Sequence, residues 1–412
     1  MTTVNPTPLD AERWPDVVRV PRGRLRAAAA RLVTARAAPL SGIRLHTGPT
    51  APPEGGDPVL WLRDPDAFYA RLAQDGLIGF GESYMAGEWD SPDLVPLLTR
   101  LATHYERLVP RALQPLRHIT LPRRPASDRN TKAAARRHIS HHYDLSNDLF
   151  TLFLDRTMTY SSALFTEDDP RDEDGLARAQ ERKIDRLLDS AGVGEGTALL
   201  EIGTGWGELA VRAARRGAHV TSITLSREQR DLARERVAEA GLTDRVDVEL
   251  CDYRDATGSY DAVVSCEMIE AVGERYWPAY VEALDRLVRP GGKVVLQSIT
   301  MEHGLMRASR GSYTWMHKYV FPGGLIPSVT ALRQEFTTRT RLRISDRLSF
   351  GPDYADTLQV WRRTFTDAAD EVDALGFDPT FRRMWTFYLA YCEAGFRSGI
   401  IDVEQITLES TA

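Results

Sequence analysis

Glycines alternate at positions 203, 205 and 207 directly after an apolar run, in the segment Leu199–Gly207, LLEIGTGWG. The run carries one acid, Glu201, and the segment behind it, Glu208–Arg216, has the apolar spacing of a helix. Strand, glycine turn and helix bring backbone N–H groups close to a nucleotide-like ligand at the end of a sheet. NAD, FAD and S-adenosylmethionine (SAM) sites all use such a turn. The next strand separates them. A dinucleotide site usually ends that strand in Asp or Glu to hold the ribose. Here His219–Ser226 reads HVTSITLS and offers hydroxyls. SAM is therefore the expected ligand, with Glu201, Gly203, Gly205, Gly207, Thr224, Ser226 and Gln229 as candidate contacts. A third strand, Arg245–Cys251, delivers Asp252 and Tyr253, where a carboxylate can accept from an adenine amino group.

Positioning these residues takes a sheet. A fourth strand, Tyr260–Cys266, runs into Glu267–Gly273, and a fifth, Lys293–Ile299, follows the turn Arg289–Gly292. Alternating strands and helices predict an α/β fold with a doubly wound, Rossmann-like parallel sheet and helical insertions. Residues 1–110 read as a small N-terminal α/β domain for lipid binding or oligomerisation. It holds an Ala/Arg-rich helical pattern within 1–40, a strand-like Pro58–Leu62, a glycine-bearing Gly79–Trp89 and a helix near Leu94–Leu108. Residues 111–137 read as a basic linker and 138–412 as the catalytic domain. In the latter, Leu176–Leu188 is helical, and Glu302–Pro327 is a candidate lid over the carboxyl edge of the sheet. The helix Arg382–Arg397 sets Trp385, Tyr388, Leu389, Cys392 and Phe396 on one stripe, which core packing explains.

The 412 residues leave room for two or three domains, and 42% hydrophobic content is ordinary for a soluble protein. No apolar run approaches a membrane span, and the first residues lack the basic start and apolar core of a secretory signal. Cys251, Cys266 and Cys392 are scattered without metal-ligand spacing, so no metal is expected. Net charge is −6, yet Arg111–Arg137 is basic throughout apart from Asp128. Such a stretch is either a solvated linker or an attractor for anionic headgroups or nucleic acid.

The segments HYDLSNDLFTLFLD (142–155), MTYSSALF (158–165), LEIGTGWG (200–207), VTSITLSREQ (220–229), DYRD (252–255), MIEAVG (268–273) and KYVFPGGLIPS (318–328) together resemble the cyclopropane fatty-acid synthases and mycolic-acid methyltransferases. GESYMAGEWDS (81–91) and RMWTFYLAYCEAGFR (383–397) resemble the full-length members that act on phospholipids. The resemblance implies a SAM-dependent enzyme acting on the cis double bond of an unsaturated, oleoyl-type acyl chain in a membrane phospholipid. It implies a cytoplasmic protein, peripheral on the anionic inner face of the membrane, a homo-oligomer, with no nucleic acid as partner. Tyr160 and Ser161 match the family's contacts to the SAM carboxylate.

Methyl transfer to an alkene leaves a carbocation. Glu270 is expected to oppose that charge, and the ring of Tyr319 to stabilise it by cation–π contact. In the family the base that follows is a bound bicarbonate, whose pocket maps onto Ser162, Glu270, Gln297, Ile299 and Tyr319. Ser162 stands where many members carry Cys, Gln297 where many carry His, and Ala271 replaces a His that commonly follows the glutamate. This pattern resembles actinobacterial members that make 10-methylene chains, later reduced to 10-methyl chains by a partner reductase. The expected product is accordingly a 10-methylene chain, with a cyclopropane as the alternative. A catalytically inactive lipid-binding scaffold and a small-molecule O- or N-methyltransferase are the readings from other classes.

Overall fold

The computed structural model describes residues 9–53, 55–104, 131 and 146–410. They form two compact units. One comprises Met1–Arg124, Gly311–Val320 and Phe365–Ile400; the other comprises Pro125–Arg310, Phe321–Thr364 and Ile401–Ala412. Residues 311–320 and 365–400, placed in the catalytic domain on sequence, thus pack with the N-terminal segment. The expected linker 111–137 lies outside the described residues except for Thr131.

In the first unit, β1 (Arg44–Thr47) pairs parallel with β2 (Val59–Leu62), and β2 pairs antiparallel with β3 (Trp89–Asp90). The glycine-bearing segment forms a helix, Leu77–Met85. Its Gly79 is required by close approach, since a Cβ there would lie 2.2 Å from the carbonyl oxygen of Arg71. The helix Pro379–Arg397 begins on Asp378, which accepts from the Phe381 N–H at 2.7 Å. Its Phe387 ring sits 5.3 Å from Tyr84 and 4.8 Å from Trp315. The aromatic stripe read from the sequence is therefore buried core, and burying it is what draws 365–400 into this unit.

The second unit is built on seven strands: β4 (Ala198–Ile202), β5 (His219–Thr224), β6 (Val246–Leu250), β7 (Tyr260–Cys266), β8 (Val288–Met301), β9 (Leu342–Ser349) and β10 (Ile401–Ser410). Their order is β6-β5-β4-β7-β8-β10-β9. The first five are parallel; β10 runs antiparallel to both β8 and β9. Period-two alternation feeds one core on each face. Leu200, Val263, Val294 and Leu296 go to one, Leu199, Ala262, Val264 and Val295 to the other. The Arg289–Gly292 turn expected before the fifth strand is absorbed into β8, where the pairing with β7 slips between Tyr260 and Ala262. The chain order reverses beside β4, with β5 on one side and β7 on the other. A doubly wound sheet binds ligands at the carboxyl ends of such strands.

Candidate active site

A cavity of about 150 Å³ lies at the carboxyl ends of β4 to β7. Tyr160, Ser161, Glu201, Gly203, Gly205, Thr224, Gln229, Asp252 and Tyr253 all line it. Gly207 and Ser226 do not line it; both serve local structure. Gly207 is the N-cap of the helix Glu208–Arg215 at φ 93°, and the Ser226 hydroxyl accepts from Gln229 N to cap the helix Arg227–Glu239. Gly203 has φ 98°, and a Cβ there would meet Met268 Cγ at 2.7 Å. At Gly205, φ 53°, a Cβ would meet nothing within 4 Å, which leaves the turn open for close approach of a ligand.

Polar groups in this wall are paired with one another. Thr224 Oγ1 donates to Gln229 Oε1 at 2.8 Å. Asp252 is clamped by Arg254, with Nη2 2.6 Å from Oδ2 and Nε 2.7 Å from Oδ1. Burial pushes the Tyr253 phenol up to about 12. Buried Glu201 accepts from Ser222 Oγ at 2.5 Å, and desolvation pushes its carboxyl up to about 8. Lys183, 1% exposed, donates to Ser161 Oγ at 2.6 Å from the helix Glu173–Ala191. A buried ammonium beside Ser161 suits the carboxylate of an amino-acid-like ligand. Sequence reasoning missed it, although Lys183 is one of four lysines in a chain that otherwise uses arginine. Its neighbour Cys266 is no nucleophile, because burial raises the thiol to about 11.

Two carboxyls stand past the end of β7. Glu267 lines the cavity and was not singled out from the sequence. Its Oε1 accepts from Ser162 N at 3.0 Å and Gln297 Nε2 at 2.8 Å, and its Oε2 accepts from Tyr354 Oη at 2.6 Å. Glu270 does not line the cavity. Ser298 Oγ and the Ile299 N–H both donate to its Oε1, while its buried Oε2 has no hydrogen-bond partner among the described residues. Burial first, and the Glu267 charge second, push Glu270 up to about 8. The missed signal was positional: Glu267 is the first residue past β7, where doubly wound sheets place ligands.

These bonds test the fit of bicarbonate. The Ser162 hydroxyl donates to Ala163 O at 3.0 Å, and its N–H is held by Glu267. The Gln297 amide donates to Glu267 and to Ser162 O, and accepts from Gln405 at 3.2 Å. The Ile299 N–H is held by Glu270. Donors expected to hold the anion are already given to the chain's own carboxyls and backbone carbonyls, so the pocket does not fit a separate bicarbonate. Tyr319 belongs to the other unit. There its hydroxyl donates to Glu82 Oε1 at 2.8 Å, and Lys318 Nζ lies 5.3 Å from its ring centre. Burial and the Glu82 charge raise its phenol, which stays a neutral donor.

Known proteins are similar to this chain in sequence and fold. The family model for mycolic acid cyclopropane synthetase matches residues 130–406. The chain belongs to this family. Across the whole length it is similar to the tuberculostearic acid methyltransferase UfaA1 of Mycobacterium tuberculosis, at 54% identity over 97% of this chain and 96% of that protein. The cyclopropane-fatty-acyl-phospholipid synthase of Escherichia coli is 33% identical over 84% of this chain and 86% of that one. Among solved structures of the cyclopropane synthetase family, mycolic acid cyclopropane synthase CmaA1 complexed with SAH and CTAB has a TM-score of 0.61 at 30% identity. That likeness covers 67% of this chain and 98% of that one. The Rossmann-like SAM-dependent methyltransferase fold expected from the sequence is the fold observed.

Proposed function

We propose that this protein transfers a one-carbon unit from SAM to the cis double bond of an oleoyl-type chain in a phospholipid, leaving a 10-methylene branch. The observation that carries the reading is the cavity wall, which joins the glycine turn and buried Lys183 to the carboxyl of Glu267. Lys183 and Ser161 would hold the SAM carboxylate, Asp252 and Tyr253 the adenine, and Thr224 and Gln229 the ribose. SAM supplies an electrophilic methyl on sulfur. The chain's own task is to keep water away from the cation that results and to take up one proton. End-to-end similarity to a relative named for tuberculostearic acid supports the branched product over the ring. Reduction of a methylene branch to a methyl requires a hydride donor, and so a separate reductase.

Membrane association would be peripheral: among the described residues no helix is long and apolar enough to cross a membrane. In the first unit the helix Arg24–Leu40 exposes Leu25 (90%), Leu32 and Leu40 among Arg24, Arg26, Arg31 and Arg36. Exposed leucines framed by arginines suit an anionic lipid surface. Expression in a host rich in oleoyl phospholipids, followed by NMR of the extracted lipids, tests the reading. Olefinic =CH2 protons of a methylene branch are expected. Cyclopropyl resonances alone would replace the product assignment, and unchanged lipids with folded protein and available SAM would refute the activity.

A further inference from the structure

Glu267 has a backbone conformation that side-chain-bearing residues rarely adopt, φ 51°. A non-glycine residue held there is strained, and persists when its surroundings over-determine it. Those surroundings converge on the carboxylate from three directions: the 162 backbone, Gln297 on β8 and Tyr354 on the helix Gly351–Asp367. Gln297 is itself oriented by Gln405 on β10, whose Oε1 accepts from Arg186 at 3.0 Å. The result is a fixed carboxylate on the wall of the cavity that holds the glycine turn.

We propose that the Glu267 carboxylate is the base that removes the proton from the cationic acyl chain, in place of a bound bicarbonate. The inference rests on the methyl-transfer reading above. In the step before it, the alkene π pair forms the new carbon–carbon bond as the sulfur–methyl bond breaks, leaving S-adenosylhomocysteine and a cation at the other alkene carbon. A 1,2-hydride shift moves the cation to the branched carbon. Glu267 then takes one proton from the new methyl; that C–H pair becomes the C=CH2 double bond of the methylene branch, and the positive charge is discharged. The resulting carboxylic acid returns its proton to solvent when the chain leaves.

The two carboxyls differ in their partners. Burial raises the Glu267 carboxyl above its ordinary range, and Tyr354, the Ser162 N–H, Gln297 and Lys183 all work against that rise. Glu270, with one oxygen unpartnered among the described residues and Glu267 beside it, keeps its proton to about 8. Neighbouring acids with diverging environments divide into a base and a neutral partner.

The test uses vesicles of dioleoyl phosphatidylglycerol and methyl-labelled SAM in buffer freed of carbon dioxide. Wild-type protein is expected to keep its rate within about twofold whether or not bicarbonate is added. Glu267→Gln should lose about 10²- to 10⁴-fold in kcat while binding SAM normally in calorimetry. Glu267→Gly suits the φ and frees the Ser162 N–H and Gln297 amide, so added bicarbonate should restore part of its activity and none of that of E267Q. Wild-type activity that requires bicarbonate overturns the proposal. So does E267Q turning over at the wild-type rate, or loss of SAM binding by both variants, which makes Glu267 structural. A wild-type protein that labels no lipid refutes the parent reading instead.

Discussion

Gln297 on β8 donates to Glu267, the residue just past β7, at 2.8 Å, and the two strands are in register at Cys266 and Gln297. An amide carries no charge and no transferable proton, so Gln297 acts through the carboxylate it holds. The pocket thus keeps a titratable group although imidazole is absent from it.

Gln297→Leu should therefore change the pH profile more than SAM binding. The Gln297 hydrogen bond works against the rise that burial imposes on Glu267, so losing it moves the Glu267 titration further up. The groups facing it are Lys183, Glu270, Cys266 and Tyr354. The acid limb of kcat should shift to higher pH with SAM affinity unchanged. An unmoved limb would separate Gln297 from the base.

Lys183→Met removes a buried cation that donates to Ser161 and faces Glu267. Leaving the Ser161 hydroxyl and the Glu267 carboxyl without it should destabilise the protein by about 1–3 kcal/mol. SAM affinity should also fall by at least about tenfold, the worth of one charge-assisted bond. Calorimetry and denaturant unfolding on the purified variant read both effects. Normal SAM affinity would remove Lys183 from the ligand site.

Much of the sheet was legible because its strands repeat apolar residues and end in special ones. Tyr260–Cys266 was read with the bounds observed, and Glu208–Arg216 to within one residue. The pair β9 and β10 was not, because β10 buries Glu404, Gln405 and Thr407 among its apolar residues and so lacks a clean alternation. Arg347 on β9 explains the burial, pairing with Glu404 at 2.6 Å. The cavity wall was legible from the glycine turn. Glu267 was not, because its partners lie up to 105 residues away and only folding brings them together.

Glu201 should make stability fall with rising pH. Its carboxyl holds a proton to about 8 when folded and releases it near 4.5 when unfolded. The native state therefore binds the extra proton between those values, and stability declines by up to about 1.4 kcal/mol per pH unit there. Glu201→Gln removes that contribution, while Glu270 retains its own in the same window. Denaturant unfolding at pH 5 and pH 8 should show a smaller difference for E201Q than for wild type; an equal difference would mean Glu201 is ionised in the fold.

The two turn glycines should separate folding from binding. Gly203→Ala forces a Cβ against Met268 at φ 98° and should lower stability with or without SAM. Gly205→Ala meets no protein atom, so beyond about 1–2 kcal/mol for its φ its cost should fall on SAM affinity. Thermal shifts measured with and without SAM distinguish the two, and equal SAM-induced shifts in G205A and wild type would place the ligand away from this turn.

The helix Arg24–Leu40 gives the membrane proposal its sharpest test. Burying a leucine is worth about 1.5–3 kcal/mol, and an arginine near an anionic surface about 1 kcal/mol. Leu25 and Leu32 are seven residues apart, two turns, and so share a face. Leu25→Asp with Leu32→Asp should weaken binding to phosphatidylglycerol vesicles by more than about tenfold, since both apolar terms are lost and two like charges are added to an anionic surface. Raising the salt should weaken wild-type binding as the arginine attraction is screened. SAM affinity should stay at the wild-type value, because neither leucine belongs to the unit that holds the cavity. Flotation of the protein with vesicles, at two salt concentrations, reads the first two effects and calorimetry the third. Undiminished flotation of the double variant would assign this helix face to something other than lipid, and salt-insensitive wild-type binding would remove its arginines from the contact.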